Sequence, residues 1–336
     1  MSLRLADRWL WDFWVVRDGH DYHVFYLQAP RSLLDPERRH WHVSIGHAAS
    51  TDLRRWEVLP DALGPGEPGA WDDYTVWTGS IEPETRPVRD GMPGDRRTGW
   101  RLLYTGTAHA TRGLVQRIGL ATSEDLVCWT RHPANPVLEP DHGLYERLGQ
   151  DAWHEEAWRD PWLFRDPASG TSHALLTARL AHGPPATRGV IGLATAERAG
   201  RWAVREPVTR PGVYGHMEIP QLHRISDGRW CLLFSVPGLP EDVLAGSGPV
   251  PLRAGLRGTH YLLADAPLGP FEWESHGVLL ADEAGTWYGA KLLDGPDGRL
   301  TCLAWIAHDA DGGFVGELSD PMEVVTGPDG PHVVHG

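Results

Sequence analysis

Lysine is nearly missing from this 336-residue chain: Lys291 is the only one among 31 basic residues. The skew toward arginine reads as coding bias rather than chemistry. Positive charge as a whole is short. The net charge of −14 argues against nucleic acid or an anionic membrane as a partner and for a neutral small ligand or a cation. Cysteine is scarce too. Cys128, Cys231 and Cys302 stand far apart in strand-like runs, without CxxC or Cys/His spacing, which argues against a cysteine-bound metal. They are expected to be small buried hydrophobes in a reducing compartment. No run of about 18 apolar residues occurs, so no membrane-spanning helix is expected. The start, "MSLRLADRWLWDFW", has no basic segment followed by an apolar one, so no signal peptide and a cytoplasmic location are expected. Helical periodicity is also absent, which removes the crossovers a doubly wound parallel sheet needs.

Tryptophan, in contrast, is plentiful at 17 residues; it serves cores but also stacks on flat sugar faces. Four stretches repeat: "VSIGHAASTDLRRWEV", "RIGLATSEDLVCWTRH", "GVIGLATAERAGRWAV" and "HYLLADAPLGPFEWES". Each reads as a strand, a turn, and a tryptophan that opens another strand. Those tryptophans, Trp56, Trp129, Trp202 and Trp273, are spaced by 73, 73 and 71 residues, and Gly46, Gly119 and Gly192 by 73 and 73. A fixed long period marks a repeated supersecondary unit. Two more strand-like runs joined by hairpin signals precede each stretch, and a fifth unit follows in "YGAKLLDGPDGRLTCLAWIA", "GFVGELSDP" and "MEVVTG". The sequence therefore predicts an all-β fold: a five-bladed β-propeller of four-stranded antiparallel blades around a central axial site. The propeller is expected to span residues 1–326 as one catalytic domain, with 327–336 a loosely held tail. Insertions at 84–99, 138–158 and 237–258 read as loops, of the kind that often line the entrance to such a site.

The inner strand of each blade borders the channel, and three of these strands open on an acid. Asp12 lies in "LWDFW", Asp160 in "WRDPWLF" and Glu218 in "HMEIPQL". A carboxylate among tryptophans is costly unless it is paired or used. At matching points of the repeat, the three would converge on one mouth of the channel. Two carboxyl groups flanking a bond are the usual equipment for glycoside cleavage, one as nucleophile or base and one as an acid with a raised pKa. A third can hold sugar hydroxyls as the oxocarbenium ion forms.

At these residues the chain resembles the five-bladed propeller fructosidases of glycoside hydrolase families 32 and 68, the invertases, levanases and levansucrases. "YHVFYLQAP", "SIGHAASTDLRRWEVLPDAL", "VWTGSI", "WRDPWLF", "MEIPQLHRISDGRWCLLFS" and "WYGAKLLDGPDGRLTCLAWI" carry the resemblance. It implies a β-fructofuranosidase or fructosyltransferase working by retaining double displacement. Asp12 would be the nucleophile, Glu218 the acid/base and Asp160 the transition-state stabiliser. Trp11, Trp77, Ser80, Arg159 and Trp287 would line the substrate site. The substrate would be a small sugar or an oligosaccharide, with no cofactor required and no metal site assignable by spacing. Four features depart from family 32: "LWDFW" around the expected nucleophile is nearer the family 68 type, Ile219 stands for an expected cysteine, Ile45 for an expected tryptophan, and no C-terminal β-sandwich is expected. The alternatives are an inverting arabinofuranosidase or xylosidase of the family 43/62 type and a non-catalytic sugar-binding propeller.

Overall fold

The computed structural model of the protein describes residues 3–87, 95–151, 153–197, 201–239 and 255–334. The strands form five antiparallel sheets, one for each predicted blade. Blade one holds β1 (Arg8–Asp18), β2 (Asp21–Pro30), β3 (Ser44–Ser50) and β4 (Glu57–Leu63); blade two holds β5 (Thr75–Pro87), β6 (Asp95–Thr107), β7 (Gln116–Ser123) and β8 (Thr130–Arg131). Blade three holds β9 (Trp158–Arg165), β10 (Ser172–Arg179), β11 (Gly189–Ala196) and β12 (Trp202–Arg205); blade four holds β13 (Glu218–Arg224), β14 (Trp230–Val236), β15 (Arg257–Ala264) and β16 (Gly277–Asp282). Blade five is β17 (Trp287–Asp294), β18 (Leu300–His308), β19 (Phe314–Leu318), β20 (Met322–Gly327) and β21 (Gly330–Val333). The fold is the predicted five-bladed β-propeller.

Burial falls from axis to rim and explains the composition of the strands. Inner β1 is largely buried and reads as a near-continuous apolar run, whereas outer β4 exposes most of "EVLPDAL". Gly19, at φ 63°, opens the tight turn between Asp18 and Asp21, a conformation glycine adopts without strain. The repeated glycines have a packing cause. A Cβ at Gly46 would lie 2.3 Å from the Tyr26 ring, and one at Gly119 2.5 Å from the Trp71 ring.

Four sequence expectations need correction. Cys128 is exposed, while Cys231 and Cys302 are buried; Cys128 sits on the turn that Asp125 caps. The described part of the 84–99 insertion is a hairpin extension, with Glu84 opposite Gly99 and Pro87 opposite Asp95. Its described residues continue the end of β5 that points away from the acids, and none of them lines the acids' cavity. The "MEVVTG" run is not the outer strand of blade five. It pairs with β18 after β19 does, the two sharing one edge across Pro321, which has no N–H to donate. The outer strand is β21, from the predicted tail: Val333 is buried and the Tyr261 hydroxyl donates to the Asp329 carbonyl at 2.9 Å. The 237–258 insertion lies mostly outside the described residues.

Among the described residues the ring closes without strand exchange. Leu318 N–H donates to the Leu3 carbonyl, Arg31 to the Val315 carbonyl, and the Tyr22 hydroxyl to the Asp294 carbonyl.

Candidate active site

Every inner strand carries a β-bulge near its start. The pairing register slips at Trp11/Phe13 in blade one and Trp77/Gly79 in blade two. It slips opposite Leu175/Thr177 in blade three, at Glu218/Gln221 in blade four and at Tyr288/Lys291 in blade five. The residues at the bulge are Asp12, Thr78, Asp160, Ile219 and Gly289. Four of them are left-handed: Asp12 (φ 33°), Asp160 (φ 56°), Ile219 (φ 52°) and Gly289 (φ 58°). A bulge re-aims a side chain and ends regular pairing, and positive φ in a non-glycine residue is strain of the kind that gathers at functional sites. Asp12 and Asp160 occupy equivalent positions. Glu218 does not: it precedes the bulge by one residue, at the level of Trp11, Trp77, Arg159 and Tyr288. The chain thus brings its acids together from two successive levels of the repeat.

All three face one cavity of about 460 Å³, lined in part by Trp11, Asp12, Glu37, His40, Trp41, Trp77, Thr78, Glu155, Arg159, Asp160 and Glu218. Asp12 accepts hydrogen bonds from Trp305 Nε1 at 3.0 Å and from the Thr78 hydroxyl at 3.4 Å. Asp160 accepts from the Thr177 hydroxyl at 2.8 Å and the Ile219 N–H at 3.2 Å. Glu218 accepts from Arg159 Nη2 at 2.7 Å and from the Tyr288 hydroxyl at 2.5 Å. Arg159 also donates to Glu155 at 2.7 Å and to Gln116 at 3.1 Å.

The electrostatics separate the acids. Burial, with the charges of Asp160 and Glu218, raises Asp12 to about 7, against smaller opposing effects of Arg39 and Lys291. Burial also raises Asp160, though the Arg159 charge opposes it. Burial alone would raise Glu218 as well, but the His216 hydrogen bond and the Arg159 charge outweigh it and hold Glu218 well below the usual carboxylate range. Burial and charge therefore favour protonation of Asp12 over Glu218.

Of the sequence-predicted lining residues, Trp11, Trp77 and Arg159 stand on the cavity wall. Ser80 does not. Its hydroxyl, buried below the cavity, accepts the Leu163 N–H at 2.7 Å and ties blade two to blade three. Trp287 packs against the apolar cluster between blades four and five. The sequence reading passed over Glu37, His40 and Trp41 of the turn at Pro36–Trp41, because single turn residues carry no periodic signal. It also passed over Tyr288, which its place one residue before the blade-five bulge could have revealed.

With this geometry in view, similarity to known proteins gives the class. The sequence profile of the glycosyl hydrolases family 32 N-terminal domain matches residues 14–312. The chain belongs to glycosyl hydrolase family 32. The match begins just after Asp12, so the place of Asp12 rests on the structure. An acid beta-fructofuranosidase of Capsicum annuum is 33% identical over 153 residues, 42% of this chain and 20% of that protein. A bifunctional fructosyltransferase of Allium cepa is 33% identical over 132 residues, 37% of this chain and 18% of that protein. The aligned region is thus about a fifth of these relatives' length. Among solved structures, an inulosucrase from Halalkalicoccus jeotgali bound to kestose has a TM-score of 0.72 at 22% identity, covering 98% of this chain and 87% of that one. A Bombyx mori family 32 beta-fructofuranosidase has a TM-score of 0.69 at 19% identity, covering 99% and 64%. The structural likenesses establish the shared propeller.

Proposed function

We propose that the protein is a retaining fructoside-acting glycoside hydrolase or fructosyltransferase. The observation that carries this is the convergence of Asp12, Asp160 and Glu218 on one cavity in a family 32 chain. The Asp12 carboxylate attacks C2 of a β-fructofuranosyl unit while Glu218 gives its proton to the departing oxygen. The C2–O bond to the leaving group breaks and an ester to Asp12 forms. Water or a sugar hydroxyl then attacks C2, gives its proton to Glu218 and frees Asp12. Asp160 accepts hydrogen bonds from the sugar hydroxyls as positive charge develops on the ring. Retention calls for carboxyl groups about 5–5.5 Å apart, inversion for about 6.5–9.5 Å.

Trp41 and Trp77, partly exposed on the cavity wall, offer flat apolar surface for the sugar. Sucrose and short fructo-oligosaccharides are the proposed substrates. Related structures support that class: the inulosucrase holds kestose, and a Schwanniomyces occidentalis fructofuranosidase holds fructosylnystose. The site is proposed to work without a cofactor or metal, and a cytoplasmic location remains our proposal.

The test is chromatography of products from sucrose, inulin- and levan-type oligosaccharides and an aryl arabinofuranoside, with wild type and Asp12→Asn. Free fructose or lengthened fructosides from wild type alone are expected. Arabinose alone, or sugar binding with no product from any substrate, would overturn the proposal.

A further inference from the structure

The mechanism above leaves the buried cation beneath the acids unused. Lys291, the chain's only lysine, lies two residues past the blade-five bulge and is 3% exposed. Its ammonium donates to the Ile219 carbonyl at 2.7 Å, lies 3.5 Å from the Pro220 carbonyl, and stands 5.6 Å from the centre of the Trp162 ring. A side chain from blade five thus reaches blades four and three beneath the cavity floor.

What it holds is strained. Ile219 is β-branched and left-handed, an outlier for such a residue. Two clamps fix its backbone. The N–H is taken by the Asp160 carboxylate and the Thr177 hydroxyl, each at 3.2 Å, and the C=O by Lys291. Glu218 is the preceding residue, so the conformation of Ile219 helps decide where the carboxyl points. The charged groups acting on Lys291 are Asp160 from blade three and Asp12 from blade one. Asp12 in turn feels Asp160, Glu218, Arg39 and Lys291.

We propose that Lys291 is a positioning residue: it clamps the left-handed bulge that aims Glu218 into the cavity and lends its charge to Asp12 and Asp160. The inference rests on the fructoside reading for its kinetic consequence but not for its electrostatic one. Burial lowers Lys291 to about 7, with Asp160 and Asp12 opposing that fall, so its titration is open to measurement.

A single lysine gives a single side-chain signal. In full-length protein labelled with 15N-lysine, the Nζ titration midpoint is expected to drop by about half a pH unit or more in Asp12→Asn and in Asp160→Asn, since each removes a stabilising negative charge. A midpoint unmoved in both variants overturns the charge-sharing whatever the enzyme's substrate. On a fructoside the wild type cleaves, Lys291→Met is expected to lose about ten- to hundredfold in kcat/KM and to move the alkaline limb of the pH profile upward. Lys291→Arg, which keeps the charge, should recover part of the rate and restore the limb. Equal losses in both variants with the limb unmoved would make Lys291 merely structural and overturn the proposal. Should Lys291→Met fail to fold, the titration and the arginine variant still decide.

Discussion

At the residue scale, burial and charge favour a proton on Asp12, the opposite of what the proposed mechanism asks. In the proposed roles, retaining cleavage needs Asp12 ionised and Glu218 protonated, whereas these shifts favour the reverse. The productive form carries the same number of protons, so it persists as a minor arrangement wherever the pair holds one. That window runs from the depressed value of Glu218 up to about 7, the value of Asp12. Above it the last proton leaves and neither arrangement survives. Initial-rate kinetics should show kcat/KM falling above about pH 7; a profile flat to pH 9 would contradict the assignment. Glu218→Gln removes the acid and is expected to lower turnover of sucrose about 10²–10⁴-fold. The loss should be much smaller on an aryl fructoside whose leaving group needs no proton for the first step. Equal losses on both substrates would argue against the acid role.

At the scale of the element, the bulged inner strand is the device that makes a site out of a repeat. A regular strand would turn alternate side chains to the two blade faces; the bulge interrupts that alternation at the channel mouth in all five sheets. The repeat and its acids were legible because tryptophan and glycine recur at fixed spacing. The bulge was not, since it follows from inter-strand pairing. That is why Glu218 was expected level with Asp12 and Asp160 yet stands one residue earlier. Lys291 was dismissed for a related reason: its partner is the Ile219 carbonyl, and a backbone acceptor leaves no mark in sequence. The glycines give the test at this scale. Gly46→Ala would drive a methyl into the Tyr26 ring and is expected to cost about 1–3 kcal/mol in urea unfolding. Gly64→Ala meets nothing within 4 Å and should change stability little.

At the scale of the whole molecule, the blades are held by buried groups that tolerate acid poorly. His47 is held neutral down to about 3, His260 and His276 down to about 4, each chiefly by burial. His23 pairs with His47 at 2.9 Å and His260 with His276 at 3.0 Å. Such histidines bind a proton on unfolding at a pH where they stay neutral when folded, so unfolding is favoured as pH drops below about 6.5. Calorimetry should show the melting temperature falling from pH 6.5 to 4.5, and His276→Gln should flatten that fall. A melting temperature constant across the range would contradict it.

The closed ring joins its first and last blades at the site: Asp12 of blade one accepts a hydrogen bond from Trp305 of blade five. The central claim is that Asp12 becomes bonded to the sugar. Mass spectrometry of the Glu218→Gln protein incubated with an aryl β-fructofuranoside tests it most directly, because the ester forms without acid help and persists without a base to hydrolyse it. The account predicts one fructosyl unit per chain, mapped by peptide digestion to Asp12. Aryl alcohol released with no adduct at any point in the time course, or an adduct on Asp160, would contradict it.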